Sequence, residues 1–289
     1  MQRAMTARVA VVIPCYNDGA TLAAAVQSVR ESEPIEVVVV NDGSSDPGTL
    51  LELQRLRGAG VHVIDRENGG LSAARMTGVA ATAPPYIYPL DADDCLQAGA
   101  LQALLDALER APRAAFAYGD YEVFGEYRGR WHSPERFDPW AMTYANFIPV
   151  SSLIRRSALE QVGGWELHNA VEDWDLWLKM VERGWDGVRV PRVVYRRRVH
   201  GESLISDTRR RHGEMVGRLR ARHRELFASR RRLAARSRPG LTKRLSYPLL
   251  FGLRNRNLIP GALESRVLRL GLERSLRRAQ REAGDPIGA

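Results

Sequence analysis

The chain has 289 residues, of which 44% are hydrophobic and 27% charged, close to the average of globular proteins. This composition argues against wholesale disorder, a collagen-like repeat or a coiled-coil rod. Two cysteines are too few for a disulfide framework, which suits a reducing compartment. Residues 1–8 lack the apolar stretch of a secretory signal, and no run reaches the roughly 18 to 20 apolar residues of a membrane span. We therefore expect a cytoplasmic protein.

The net charge of +9 is unevenly distributed along the chain. Residues 1–207 carry 21 Lys and Arg against 28 Asp and Glu, whereas residues 208–289 carry 22 against 6. The first part is therefore mildly acidic and the second strongly basic. We interpret this as two domains, residues 1–206 and an arginine-rich helical extension over residues 207–289. We expect the extension to seek anionic surfaces.

Short β-branched runs alternate with helical patterns over the first ninety residues. Strands are predicted at residues 7–14, 35–40, 61–64 and 86–90, and helices at residues 21–30, 50–56 and 71–83. Such alternation is typical of an α/β fold, with a mostly parallel sheet and helices on both faces. Beyond Tyr118 the alternation becomes irregular, and one further helix is predicted over residues 173–184.

The polar clusters of the sequence follow the predicted strands. Asn17 comes after the first strand, residues 41–46 after the second and residues 91–94 after the fourth. Because ligands of parallel α/β sheets bind outside the carboxyl ends of the strands, these clusters mark the expected binding site.

Asp91 and Asp93 alternate on the backbone that leaves the fourth strand, so both can face one ligand. Two carboxylates this close repel each other unless a cation lies beside them. Oxygen ligands with open positions suit Mg²⁺ or Mn²⁺ that also binds phosphate oxygens. The alternative is a solvated acidic turn that caps the next helix. The position at the end of a strand favours the metal site.

Three further segments allow both a structural and a chemical interpretation. Residues 41–46 (NDGSSD) fit a turn with a helix N-cap, or a site where Asp42 binds a nucleobase or ribose. Residues 172–175 (EDWD) fit an acidic first helical turn, or an acceptor pocket with a general base. His200 stands in the segment YRRRVH, and a lone histidine is more often a surface residue than a metal ligand.

Taken together, these segments resemble the family-two inverting glycosyltransferases of the GT-A fold. The resemblance covers about the first 205 residues and rests on VVIPCYN (11–17), VVVNDGSSD (38–46), NGGLSAAR (68–75), LDADD (90–94), GGW (163–165), EDWDLWLKM (172–180) and YRRRVHGESLIS (195–206). Each motif is weak alone, whereas their common order and spacing are specific. Met76 departs from the family pattern, in which Asn often follows the arginine.

The resemblance implies a donor site, a metal site and an acceptor site. It assigns to the nucleotide-sugar donor the residues Pro14, Tyr16, Asn17, Asp42, Arg75 and Asp91. It makes Asp93 the ligand of Mg²⁺ or Mn²⁺ and His200 a late contact to the metal or the diphosphate. Asp173 matches the catalytic base, and the acceptor contacts fall on Gly164, Trp165 and Glu172.

The implied activity is inverting, metal-dependent transfer of a hexose from a nucleoside diphosphate sugar, with a UDP-sugar as the first candidate. The acceptor would be a hydroxyl of a glycan or a lipid-linked glycan, in cell-surface or polysaccharide biosynthesis. Two alternatives stay open. A sugar nucleotidyltransferase would need a Gly-rich basic loop after the first strand, where this chain has residues 15–18 (CYND). An inactive nucleotide-binding scaffold would use the basic extension to bind an anionic partner, and the intact Asp93 and Asp173 argue against it.

The extension contains a pattern of its own. Met215, Leu219, Leu226 and Leu233 recur at four- and seven-residue steps among arginines, which predicts one basic amphipathic helix over residues 215–234. Such a helix can lie on an anionic membrane, which suits a peripheral enzyme at the inner face of the membrane. The alternative is that the apolar stripe packs on the first domain. Nucleic acid is a poorer candidate partner, because the extension has few aromatic residues to stack on bases.

Overall fold

The strands of residues 9–199 join in one sheet. The structure, a computed structural model, describes residues 6–126, 128–167, 171–199 and 204–254. Within these ranges the strands are β1 (Val9–Cys15), β2 (Ile35–Asp42), β3 (His62–Arg66), β4 (Tyr86–Pro89), β5 (Cys95–Leu96), β6 (Ala114–Gly125), β7 (Gly129–Trp131), β8 (Leu153–Arg155) and β9 (Asp186–Val199). They pair in the order β3, β2, β1, β4, β8, β6, β9, β5, and β7 pairs with β6.

Helices cover this sheet and continue into the extension. They are α1 (Gly19–Ser28), α2 (Pro47–Gly58), α3 (Leu71–Ala80), α4 (Ala100–Glu109), α5 (Pro139–Met142), α6 (Arg156–Gln161), α7 (Glu172–Glu182), α8 (Leu204–Arg222), α9 (Arg224–Ala228), α10 (Arg230–Ser237) and α11 (Leu241–Arg254). The start of α2 shows the local chemistry: Asp46 accepts a hydrogen bond from the Thr49 N–H at 2.7 Å, and Pro47 fills the first helical position. Of the described helices, none has the length and apolar content needed to cross a bilayer.

The apolar runs of the first half are buried on both faces of the sheet. β1 pairs in parallel with β2 and β4, and β2 pairs in parallel with β3. Ala10 and Val12 of β1 lie in a core with α3, whereas Val9 and Ile13 lie in the opposite core with α1 and α4. Burial on both faces explains why these strands are continuous apolar runs. The predicted α/β architecture is confirmed.

The second half of the sheet is mixed, where the sequence predicted a mostly parallel sheet with irregular structure beyond Tyr118. β8 lies antiparallel between β4 and β6, and β5 is antiparallel to β9. β6 continues to Gly125 and pairs in parallel with β9. The sequence pattern conceals β9, because five arginines and a proline stand among its 14 residues. Pairing with β6, which is not visible in the local sequence, decides its conformation.

The described part of the extension packs on the first domain. Met215, Leu219, Leu226 and Leu233 are each at most 8% exposed and lie in the same core as Trp140 and Trp177. The prediction of a single membrane-facing helix over residues 215–234 is wrong, because the chain breaks between α8, α9 and α10 and turns these side chains inward. The stripe is a packing surface. The division of the chain into domains near Ser206 stays a prediction.

A buried polar network joins the extension to α7. The imidazole of His223 is 2% exposed, with Nδ1 2.8 Å from Glu182 Oε1 and Nε2 2.9 Å from Asp175 Oδ1. Arg222 Nε lies 2.9 Å from the same Asp175 oxygen. Burial lowers the pKa of His223, but the two carboxylates more than offset this, so the pKa is raised above its ordinary value of 6.5. The contacts of His223 with Asp175 and Glu182 therefore join the extension to α7, and they are strongest when the imidazole is charged.

We expect His223→Gln to lower the free energy of unfolding by about 1.5–3 kcal/mol at pH 5.5, the range for a hydrogen bond to a charged group. Because the folded-state pKa is raised, this stabilisation is fully present below the unfolded-state pKa of 6.5 and is lost as the pH rises through the folded value. Urea denaturation of both proteins at pH 5.5 and pH 9 measures the difference.

The matched control is His62→Gln, since His62 is exposed on β3. We expect this control to change the free energy of unfolding by no more than about 0.5 kcal/mol at either pH. If His223→Gln costs the same at both pH values, the charge of His223 does not hold the extension in place.

Candidate active site

The polar clusters predicted from the sequence meet at the carboxyl ends of three parallel strands. Tyr16 and Asn17 follow β1, Asp42 ends β2, and residues 91–94 follow β4. The strands are in register here, with Cys15 of β1 opposite Asn41 of β2. This edge is where α/β sheets bind ligands.

Arg75 of α3 lies at the centre of the site and is 1% exposed. Its Nη2 donates to Asp91 Oδ1 at 2.9 Å, and its Nη1 lies 3.1 Å from Asp173 Oδ1 and 3.3 Å from Glu172 Oε1. Its guanidinium carbon is 5.6 Å from the centroid of the Trp165 ring. One cation thus connects the loop after β4 with the first turn of α7.

The three carboxylates keep Arg75 charged despite its burial. Burial disfavours the guanidinium charge, but Asp91, Asp173 and Glu172 together raise the pKa of Arg75 above its ordinary value. The helix dipole also stabilises the negative charges of Glu172 and Asp173, because both residues lie in the first turn of α7. The cluster is therefore an ion network with more negative than positive groups.

Asp173 is the member of the α7 pair that faces the solvent. Its side chain is 21% exposed, whereas that of Glu172 is 6% exposed. Burial and the neighbouring Glu172 carboxylate raise the pKa of Asp173 well above its ordinary value, and Arg75 opposes this rise. Asp173 is thus accessible to a substrate and more basic than an ordinary carboxylate.

The acid cluster after β4 lies near two arginines of β9, Arg197 and Arg198, to which the sequence analysis assigned no role. The buried Asp94 accepts a hydrogen bond from the Arg198 backbone N–H at 2.9 Å, and Arg198 Nε donates to the Asp93 carbonyl at 3.1 Å. Burial, then Asp91 and Asp93, raise the pKa of Asp94 well above its ordinary value. The charge of Arg197 acts in the opposite direction on Asp94. The three consecutive arginines at the end of β9 were the feature of the sequence that could have indicated these positive charges near the acids.

The carboxylate oxygens of this acid cluster are ligands of the kind that divalent cations such as Mg²⁺ prefer. Asp91 and Asp93 are partly exposed at the sheet edge and offer hard oxygen ligands. The described ranges contain no group of three or more His, Cys, Asp or Glu side chains placed to hold a metal, and His200 lies outside the described residues. Mg²⁺ is often held by one or two carboxylates, with phosphate and water oxygens at its other positions. Asp91 and Asp93 fit this incomplete kind of site.

Two predicted donor contacts hold loops in place. The Asp42 carboxylate accepts hydrogen bonds from the Gly69 N–H at 3.0 Å and the Gly70 N–H at 2.8 Å, and it pairs with Arg66. Asn17 Oδ1 accepts from the backbone N–H groups of Ser45 and Asp46 at 2.8 and 2.9 Å. These bonds fix the loop after β2 and the start of α3.

The two other predicted nucleotide contacts next to β1 differ in exposure. The ring of Tyr16 is 50% exposed at the end of β1, whereas Pro14 is buried within the strand. Of these predicted contacts, Tyr16 therefore offers the accessible face.

Gly164 and Trp165, predicted as acceptor contacts, are both buried. Gly164 has a φ of +68°, and a Cβ at this position would lie 2.3 Å from Met76 Sδ. Met76, which departs from the family pattern, therefore packs on the backbone of Gly164. Trp165 lies beside Arg75. The direct effect of both residues is to position the loop before α7, and their contact with an acceptor stays a prediction.

The fold agrees with comparisons to known proteins. Residues 10–163, more than half of the chain, match the family described as glycosyl transferase family 2. The chain belongs to this family. It is 32% identical over 123 residues to the uncharacterised glycosyltransferase EpsJ of Bacillus subtilis, covering 42% of this chain and 36% of EpsJ. It is 26% identical over 204 residues to chondroitin synthase of Pasteurella multocida, covering 68% of this chain and 21% of the synthase. The chain thus spans well under two thirds of either relative.

Solved structures confirm the predicted GT-A fold. TarS of S. aureus in complex with UDP-GlcNAc is similar with a TM-score of 0.59 at 14% identity, covering 84% of this chain and 76% of that one. The mannosyltransferase PcManGT of Pyrobaculum calidifontis, in complex with GDP-Man and Mn²⁺, gives a TM-score of 0.56 at 17% identity, covering 87% and 83%. At these identities the likeness concerns the fold alone.

Proposed function

We propose that this protein is an inverting, metal-dependent glycosyltransferase of the hexosyl type. Its donor would be a nucleoside diphosphate sugar, with a UDP-sugar as the first candidate. Its acceptor would be a hydroxyl of a glycan or lipid-linked glycan in polysaccharide biosynthesis. The observation that carries the proposal is that Arg75 joins Asp91, at the predicted donor edge, to Asp173, the predicted base. Donor and acceptor chemistry would thus meet in one cluster.

The relatives support the donor and product classes. TarS is solved with UDP-GlcNAc, and PcManGT is solved with GDP-Man and Mn²⁺. Chondroitin synthase is a relative whose name gives a polysaccharide as its product. A nucleotide-sugar donor and a glycan acceptor are therefore the first classes to test.

The residues at the sheet edge would share the work of holding the donor. Tyr16 offers a half-exposed ring on which a nucleobase can stack. Asp42 and Asn17 would keep the surrounding loops in shape through their backbone hydrogen bonds. A divalent cation held by Asp93, with Asp91 beside it, would neutralise the charge that develops on the leaving diphosphate. Arg197 and Arg198 would balance the remaining acids from the side of β9.

In the proposed reaction Asp173 removes the proton of the acceptor hydroxyl while the oxygen of that hydroxyl attacks the anomeric carbon. The bond from that carbon to the diphosphate breaks, and its electron pair leaves with the diphosphate oxygen. Because attack comes from the face opposite the leaving group, the anomeric configuration inverts. The raised pKa of Asp173 suits a general base, and Arg75 at 3.1 Å orients the carboxylate.

A screen of nucleotide sugars tests the function. We expect release of a nucleoside diphosphate from one donor in the presence of Mn²⁺ or Mg²⁺, and loss of this release in excess chelator. Asp93→Ala should reduce release by about 10²-fold, because metal ions contribute several kcal/mol to such transition states. Asp106→Ala on α4, away from the site, is the matched control and should retain activity. Full turnover with chelator, or an unaffected Asp93→Ala protein, would contradict the metal assignment.

The role of Asp173 has its own test. Asp173→Asn keeps the shape of the side chain and removes the base, so we expect kcat to fall by about 10² to 10⁴-fold. The donor KM should stay within a few-fold of the parent, because Asp173 would act on the acceptor. Initial rates at varied donor concentration separate the two effects. A collapse of donor binding with kcat preserved would make Asp173 a nucleotide contact and leave the base to be found.

A further inference from the structure

Helix α11 is held on the protein by one face. The Tyr247 ring stacks on Trp140 with centroids 5.6 Å apart and on Phe147 with centroids 5.7 Å apart. Phe251, one turn later, contacts Phe147 edge to face at 5.7 Å. Because these aromatic contacts fix the rotation of the helix, its opposite face is fixed as well.

The opposite face of α11 is a row of exposed leucines. Leu241, Leu245 and Leu249 follow at four-residue steps and are 72%, 68% and 62% exposed, and Leu250, the next residue along the chain, is 53% exposed. Four-residue spacing places side chains on one side of a helix. Clustered exposed leucines are unusual on a protein surface and typically mark a site of interaction.

The charge around this leucine face is of one sign. Residues 226–263 contain nine Lys and Arg and no Asp or Glu. Among them Arg231, Arg232, Arg238 and Arg244 are exposed on α10, on α11 and between them, whereas the exposed Lys243 lies over the Tyr247 ring on the attached side. A second copy of the chain would bring the same positive charge to the interface, which costs free energy. An anionic surface would gain from it.

We propose that the leucine face of α11 docks on a bilayer that contains anionic lipids. The 14-residue helix is too short to span, so it would lie in the plane of the interface with its leucines among the acyl chains and its basic neighbours at the phosphates. The proposed membrane-binding surface is thus on α11 and differs from the one predicted from the sequence, whose apolar stripe at residues 215–233 is buried. The inference extends the proposed function, since it names the surface that would bring the enzyme to a membrane-bound acceptor, and its test measures lipid binding alone.

Flotation of the full chain with vesicles tests the proposal. We expect recovery with vesicles of phosphatidylcholine and phosphatidylglycerol at low salt, and much lower recovery with phosphatidylcholine alone or at high salt. Leu245→Glu should lower recovery about tenfold or more, because it places a charge in the buried face. Leu51→Glu on α2 is the matched control, since Leu51 and Leu245 are both 68% exposed. The control should bind like the parent.

Thermal unfolding of each variant, together with a second variant, Leu241→Glu, ensures that loss of binding is not loss of fold. Equal flotation of the parent, Leu245→Glu and Leu241→Glu would overturn the proposal. Binding that does not depend on lipid charge would also overturn it. A third contrary result would be a parent protein that fails to float and forms a lipid-free dimer, which Leu245→Glu dissociates. Release of nucleoside diphosphate, measured without vesicles, should be the same for the parent and Leu245→Glu. Binding without any such release would refute the proposed activity and leave the membrane surface supported.

Discussion

A single buried cation, Arg75, holds the site together. It lies between three carboxylates that would otherwise repel one another and that come from two distant segments of the chain. Asp91 follows a strand in the first half of the sheet, whereas Glu172 and Asp173 begin a helix about eighty residues later. A buried charge without its partners is costly, so the fold depends on all members being present. The same contacts set the distance between the donor edge and the base.

Helix α7 is held from its other side by the extension. Asp173 and Asp175 are two residues apart on the helix and point in different directions. Asp173 contacts Arg75, whereas Asp175 contacts His223 and Arg222. Part of the basic extension therefore supports the helix that carries the proposed base. A membrane that binds α11 would be connected to that helix through the same packed core.

The sequence was informative where local pattern decides the structure. The β-branched runs of β1 and β2 predicted buried parallel strands, and the polar residues after the strands meet at one edge of the sheet, as their positions predicted. The sequence was uninformative where distant pairing decides. β9 is a strand because β6 lies beside it, although its arginines resemble a surface segment. The stripe from Met215 to Leu233 has the period of a membrane helix, and two breaks that periodicity does not show turn it into core.

For the candidate site, the order of motifs assigned residues to roles, and the structure shows which groups those residues contact. Asp42 and Arg75 were both assigned to the donor from the order of motifs. In the structure Asp42 accepts hydrogen bonds from the backbone N–H groups of residues 69 and 70. Arg75 pairs with three acids at once. Neither arrangement follows from spacing, because the partners are 16 to 98 residues away in the chain.

The most direct test of this account is the pH dependence of stability in Arg75→Met. Without the cation, burial and the neighbouring Glu172 act unopposed on Asp173, whose pKa they already raise, so the variant should lose about 3–5 kcal/mol of stability at pH 8. The loss should shrink towards pH 5, as the Asp173 carboxyl group takes up a proton in the folded state. Arg155→Met is the matched control, because Arg155 donates to the Ala114 and Leu108 carbonyls and to the Tyr86 hydroxyl. Urea denaturation should show a loss for this control that does not depend on pH. A pH-independent loss in Arg75→Met would contradict the central place of the Arg75 ion network.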